Sequence, residues 1–204
     1  MLRALIIGRL ISLKDELAIA EAKRRFDAYV NDNVDIPADL KMPVYRAVAM
    51  DGDDNTFDAL LTLYRKSELQ EEKNRLTAAM AAMEDPNKIQ KVLEFAISDE
   101  VRSQDSAIVI IYVTLSKIGR ELAWRFLQQN FEELHRRYEG CNLITRLIEY
   151  VTKNFASEDK AVEVEEFFRL HPVPSAARSL QQSLESIRLK AEWLKRDSEA
   201  VKSF

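Results

Sequence analysis

Two histidines, His135 and His171, stand 36 residues apart, and Cys141 is the single cysteine of the 204-residue chain. A zinc peptidase centre of the HExxH kind sets two histidines one helical turn apart, so that both ring nitrogens face one metal beside a glutamate base. That spacing is absent, and each histidine reads as a surface or loop residue. Gly8, Gly52, Gly119 and Gly140 are isolated, so no glycine-rich loop is available to cradle phosphate. Serine, histidine and aspartate occur without a strand-turn-helix elbow to assemble them as a triad. Cys141 reads as a packed thiol, since free cysteine usually behaves as a small hydrophobe. A lone cysteine cannot form an internal disulfide and fits a reducing, cytoplasmic setting. These residues assign the chain no catalytic group, no cofactor site and no metal site.

The charged residues point to binding or to structure. Glu71 and Glu72, Glu132 and Glu133, and the group Glu163, Glu165 and Glu166 lie mostly opposite apolar helix positions, where solvated charge is expected. Glu132 and Arg136, four apart, suit a helical ion pair. Arg46, Arg102, Arg120 and Arg146 are the candidate peptide-facing residues. Arginine grips a carboxylate through two parallel hydrogen bonds, and solenoid concavities bind peptides. Arg146 sits amid Leu143, Ile144, Leu147 and Ile148, where a charge needs a partner or an opening to water. Structural pairing is the competing role for each of the four.

The elements that must position these residues are helical. Four glycines and five prolines are too few for the turns of a β-sandwich or barrel. A net charge of −4 argues against a phosphate-binding face, so nucleic acid is not an expected partner. Ala107 to Val113, the longest apolar run, is far short of the roughly 20 residues that cross a bilayer, and no membrane partner is expected. The first residues do not read as a signal peptide.

Leu2, Ile6, Leu10 and Leu13 recur on one helical stripe that has no upstream partner. Asp15 or Lys14 opens the next helix, Pro37 suits a first helical turn, Asp54 and Asp105 are expected caps, and Asp85-Pro86 closes one helix pair and opens another. Ala107 to Val113 is β-branched, yet no second strand offers to pair with it, so it reads as the most enclosed helix. Gly119 separates that helix from the next, which Trp124 flanks, and Gly140 ends a short turn after Tyr138. Leu180, Leu184, Ile187, Ala191, Leu194 and Val201 predict one long C-terminal helix, with a skipped position at Ser198. Roughly a dozen helices of about three turns, pairing every 30 to 45 residues or so, describe an all-α protein: an α-solenoid of antiparallel HEAT/armadillo-like pairs. The nearest thing to a linker is Ser98 to Gln104, and the whole of 1–204 reads as a single helical-repeat domain.

Eight strings carry a resemblance: Pro43-Val-Tyr-Arg-Ala-Val48, Gln70-Glu-Glu-Lys-Asn-Arg75, Ile89-Gln-Lys-Val-Leu93, Val101-Arg-Ser-Gln-Asp105, Ala123-Trp-Arg-Phe-Leu127, Leu143-Ile-Thr-Arg-Leu-Ile148, Val164-Glu-Glu-Phe-Phe168 and Ala191-Glu-Trp-Leu-Lys-Arg196. In this order, the chain resembles the C-terminal helical domain of zinc aminopeptidases related to aminopeptidase N, most closely the puromycin-sensitive ones. The resemblance implies a bowl of HEAT-like pairs facing a catalytic domain upstream in the same polypeptide, with peptide substrates held between them. Zinc, its HExxH ligands and the strand holding the substrate's amino end would all lie upstream. Some relatives contact the peptide's carboxyl end with a basic residue at the position of Ala82 here, a departure that removes that contact. The unshielded first stripe agrees with an excised C-terminal piece, because solenoids normally cap their ends with polar faces. A free-standing helical scaffold that binds another protein is the alternative.

Overall fold

The computed structural model describes residues 2–203, which form twelve α-helices and one 3-10 turn, with no strand among them. The expected all-α class is borne out, with helices stacked in solenoid fashion within each unit and a long helix at the end. Two compact units divide the chain between Ser98 and Asp99, inside the connection expected to be the linker.

The first unit holds α1 (Leu2–Ser12), α2 (Glu16–Asn31), α3 (Lys41–Met50), α4 (Asp54–Lys66), α5 (Gln70–Met80) and α6 (Pro86–Ala96). Its centre is α3, which packs against α1, α2, α4 and α5. Pro43, Val44, Tyr45, Ala47, Val48 and Ala49 are all buried, and Arg46 is the one exposed position of this helix. Small residues let four neighbours approach α3, while Tyr45 meets Phe26 of α2 edge-on at 6.1 Å.

The second unit holds α7 (Ser103–Val113), α8 (Lys117–Gln129), α9 (Phe131–Tyr138), α10 (Asn142–Thr152), α11 (Glu158–Leu170), the 3-10 turn Pro174–Ala176 and α12 (Ala177–Lys202). Here α10 is central, touching α7, α8, α9, α12 and the turn. The β-branched run is a helix, as expected: α7 buries Val109, Ile110, Ile111 and Val113 against α8 and α10. Trp124 is fully enclosed rather than flanking, and its indole N–H donates to Glu163 Oε1 of α11 at 2.6 Å.

Capping residues set the helix starts, each contributing about 1 kcal/mol. Asp15 accepts from the Ala18 N–H at 2.8 Å, and Asp85 accepts from the Asn87 N–H at 2.7 Å with Pro86 opening the first turn. Two expected caps move. Asp53, not Asp54, caps α4 through the Thr56 N–H at 2.9 Å. Asp105 lies in the first turn of α7, after Arg102 at the cap position. Pro37 begins a turn closed by the Leu40 N–H rather than a helix, because α3 starts only at Lys41. No described helix is long and apolar enough to cross a membrane.

Two further corrections concern α8 and α12. Gly119 does not separate helices; it is buried in the first turn of α8, where Ser116 Oγ accepts its N–H at 2.9 Å. The expected C-terminal stripe buries Leu184 and Ile187, but Leu194 and Val201 are 40% and 59% exposed. At ~1.5 Å per residue, α12 outruns the shorter α10 and α11 that cover its first half.

A Cβ on Gly119 would stand 2.0 Å from Val113 O and 2.6 Å from Ser116 Oγ, so α8 could not approach the end of α7. Gly119→Ala is expected to cost about 2–3 kcal/mol, measured by urea denaturation. In the same assay Gly8→Ala is expected to be neutral or stabilising, since nothing lies within 4 Å of its added Cβ.

Candidate functional site

The four candidate arginines do not form one cluster. Arg46 projects from α3 beside α1 and lines a groove of about 390 Å³ whose walls include Leu5, Gly8, Met42 and Pro43. Arg9 lines the same groove, a neighbour that sequence reasoning missed because it lies 37 residues away on another helix. On α1 nearby, Arg3 holds Asp39 through two hydrogen bonds of 3.1 and 2.6 Å, leaving Arg46 and Arg9 without an ion pair among the described residues.

In the second unit, Arg102 and Arg120 serve opposite ends of α7. The Arg102 guanidinium pairs with Asp105 at 2.6 Å, a contact within one helical turn. Arg120 donates to Thr114 O and Asn154 O, both at 3.3 Å, and so ties the end of α7 to the end of α10. Lys190 of α12 donates to Lys153 O at that same end of α10. These cations meet the unsatisfied carbonyls and negative dipole of a helix C-terminus. Burial, then Arg120, then Lys153 push the Lys190 ammonium below its ordinary value. Sequence spacing gives no sign of this knot, since Lys190 and Lys153 are 37 residues apart.

Arg146 resolves its apolar neighbourhood by geometry. Ile144, Leu147 and Ile148 turn inward, while Arg146 is exposed and has no ion pair among the described residues. It therefore matches Arg46: each is the exposed basic position in the middle of its unit's central helix.

The polar residues nearest α3 form a structural network. Tyr45 donates to Glu72 Oε1 at 2.5 Å, Arg75 reaches Glu72 Oε2 at 2.9 Å, and Lys41 lies 3.3 Å from Oε1. Burial pushes the Glu72 carboxyl up, but the Tyr45 and Arg75 hydrogen bonds and the Lys41 charge outweigh it and hold it below the usual glutamate value. Burial and the Glu72 hydrogen bond drive Tyr45 strongly up, so it stays a phenol and a donor. The arrangement clamps α3 to α5.

The remaining reactive side chains are also structural, and three expectations change. His171 lies in the connection after α11, as expected, whereas His135 is within α9; both are half-buried, His135 stacked on Phe131 at 5.6 Å and His171 on Phe167 at 4.4 Å. Cys141 is exposed, not packed, because it occupies the cap position of α10. Glu133, not Glu132, pairs with Arg136 and Arg137, at 2.5 and 3.0 Å. Among the described residues no three His, Cys, Asp or Glu side chains are grouped to hold a metal ion.

Residues 1–189 match the family model of the ERAP1-like C-terminal domain. The chain belongs to this family. Aminopeptidase M1 of Arabidopsis thaliana is 39% identical over 199 residues, covering 95% of this chain and 22% of that protein. Aminopeptidase M1-B of Oryza sativa subsp. japonica is 34% identical over 200 residues, and glutamyl aminopeptidase of Bos taurus 26% over 207, again 22% of each relative. The resemblance read from the eight strings is borne out, and this ERAP1-like C-terminal domain spans about a fifth of the length of those relatives.

Glu72 supplies a pH test. Its pKa is depressed on folding, so its stabilisation is present above the unfolded value of about 4.3 and is lost as pH falls through the folded value. Glu72→Gln should cost about 2–3 kcal/mol at neutral pH by urea denaturation. The gap to the natural chain should shrink below about pH 4; a gap that ignores pH would remove the charge from the account.

Proposed function

We propose that this chain is a non-catalytic domain of a longer zinc-dependent aminopeptidase, where it walls the peptide-binding cavity and limits access to a catalytic centre elsewhere in the polypeptide. The observation that carries this reading is the family match over residues 1–189, joined to relatives named aminopeptidases of which the chain spans only about a fifth. In this reading 1–204 act as one helical-repeat domain, peptides and the upstream catalytic domain are its partners, and the lone cysteine fits a cytoplasmic setting.

Two features support the reading. Leu2, Leu5, Ile6 and Leu10 leave α1 with an exposed apolar stripe, which a further part of the polypeptide would cover. In this reading zinc belongs to the upstream catalytic part, where it would supply a Lewis acid for hydrolysis, and among the described residues no group of three His, Cys, Asp or Glu is placed to hold it. Arg46 and Arg146 project from the central helices with no ion pair among the described residues and can meet a peptide carboxylate. Arg102 and Arg120 remain candidates, though each already serves a helix end.

The test is kinetic. The chain alone, given zinc, should show no turnover of an aminoacyl amide or of an acidic nonapeptide. In the full-length protein, Arg46→Ala and Arg146→Ala should each raise KM for the nonapeptide by about three- to tenfold, the loss of one charged contact. KM for the aminoacyl amide, too short to reach them, should stay fixed. Steady turnover by the chain alone would refute the non-catalytic assignment, and equal KM changes for both substrates would refute the wall.

A further inference from the structure

Helices α2 and α4 both pack on α3, and a channel runs between them. Two cavities of about 520 and 570 Å³ lie along it and share Val30 and Ala59, which makes them one groove. Its walls keep helical spacing: Lys23, Asp27 and Val30 on α2 face Thr56, Ala59 and Leu63 on α4. From Asn55 to Lys66 the groove follows about three turns, or ~16 Å. Phe26 and Val48 add to its apolar floor, and Val30 is 40% exposed.

The rim is acidic. Five aspartates line the two cavities against two lysines, Lys23 and Lys66. Asp53 is committed to capping α4, and Asp35 lies 3.9 Å from Lys41. Asp27, Asp51 and Asp58 have no ion pair among the described residues. Phe26 and Val48 are themselves buried, so the apolar surface open to an occupant is that of Val30, with Ala59 and Leu63 half-buried beside it. The three carboxylates beside it repel one another and attract cations.

We propose that this groove docks an amphipathic helix of about three turns with basic flanks, carried by a partner protein. A helix fits because both walls repeat every ~5.4 Å, the pitch at which side chains three and four apart on a third helix would interdigitate. An extended strand alternates faces every ~3.3 Å and falls out of step. Lysines or arginines flanking the apolar stripe would lie over Asp27, Asp51 and Asp58. This inference does not depend on the cavity-wall reading, since it concerns α2 and α4 and uses none of the four arginines.

The probe is a fluorescein-labelled synthetic helix with leucines at three- and four-residue steps and lysine flanks, titrated against the full chain by anisotropy. Saturable binding is expected that weakens with salt. Asp27→Lys with Asp58→Lys should weaken it at least about tenfold, and Val30→Gln at least about threefold, with melting temperatures kept near the natural value because all three positions are exposed. A scrambled peptide of the same composition should bind at least about tenfold more weakly, because it lacks the stripe. No binding, equal binding of the scrambled peptide, or variants that bind like the natural chain would each overturn the proposal. Binding that is kept by this chain but lost in the full-length protein would make the occupant a segment of that protein and overturn the partner assignment.

Discussion

Among the described residues, eleven of the twelve α-helices have between 8 and 16 residues, lengths at which an isolated helix is marginal in water. Their persistence therefore depends on side-chain burial, and most of it converges on α3 in one unit and α10 in the other. Fully burying one large aliphatic side chain contributes ~1.5–3 kcal/mol, several times what a helix-terminal charge supplies. The central helices consequently have few positions to spare. Arg46 and Arg146 stand out because each is the exposed position in the interior of its unit's central helix.

Burial on this scale obliges the enclosed polar groups to find partners. Glu72 gathers Tyr45, Arg75 and Lys41, and Glu163 accepts from Trp124 while pairing with Lys160 at 2.8 Å. Lys160 in turn reaches Glu121 on α8 at 2.8 Å. Each network joins two helices, so charge fixes which faces meet after apolar burial has brought them together. Removing Glu72 would leave the buried Tyr45 hydroxyl without its acceptor, and removing Glu163 would do the same to the enclosed Trp124 N–H, a cost that makes such networks structural before they are chemical.

Much of this was legible in the residue order. The 3.6-residue period of apolar positions yields the helices, and Asp15 and Asp85 mark their starts. The β-branched stretch in α7 was assigned correctly because a strand there would have lacked a partner. The cap of α4 falls one residue before Asp54, at the equally able Asp53, while the cap position of α7 falls three residues before Asp105, at an Arg102 that makes no side-chain cap. What the order could not disclose depends on how helices pack: the close approach of α7 and α8 that requires Gly119, the Asn154 partner of Arg120, the Arg9 beside Arg46, and the groove between α2 and α4. The exposed end of α12 escaped notice for a related reason, since periodicity predicts which face is apolar but not how far the neighbours extend. Short motifs in register identified the family although no catalytic motif was present.

In the proposed function these helices line the path of a peptide bound in a longer enzyme. Photo-crosslinking tests this most directly: a peptide carrying a diazirine near its distal end is bound to the full-length protein, irradiated, and the adducts are mapped by mass spectrometry. The account predicts adducts within a few residues of Arg46 or Arg146, suppressed by excess unlabelled peptide. Competable adducts confined to the upstream part of the polypeptide, with none in these helices, would contradict it.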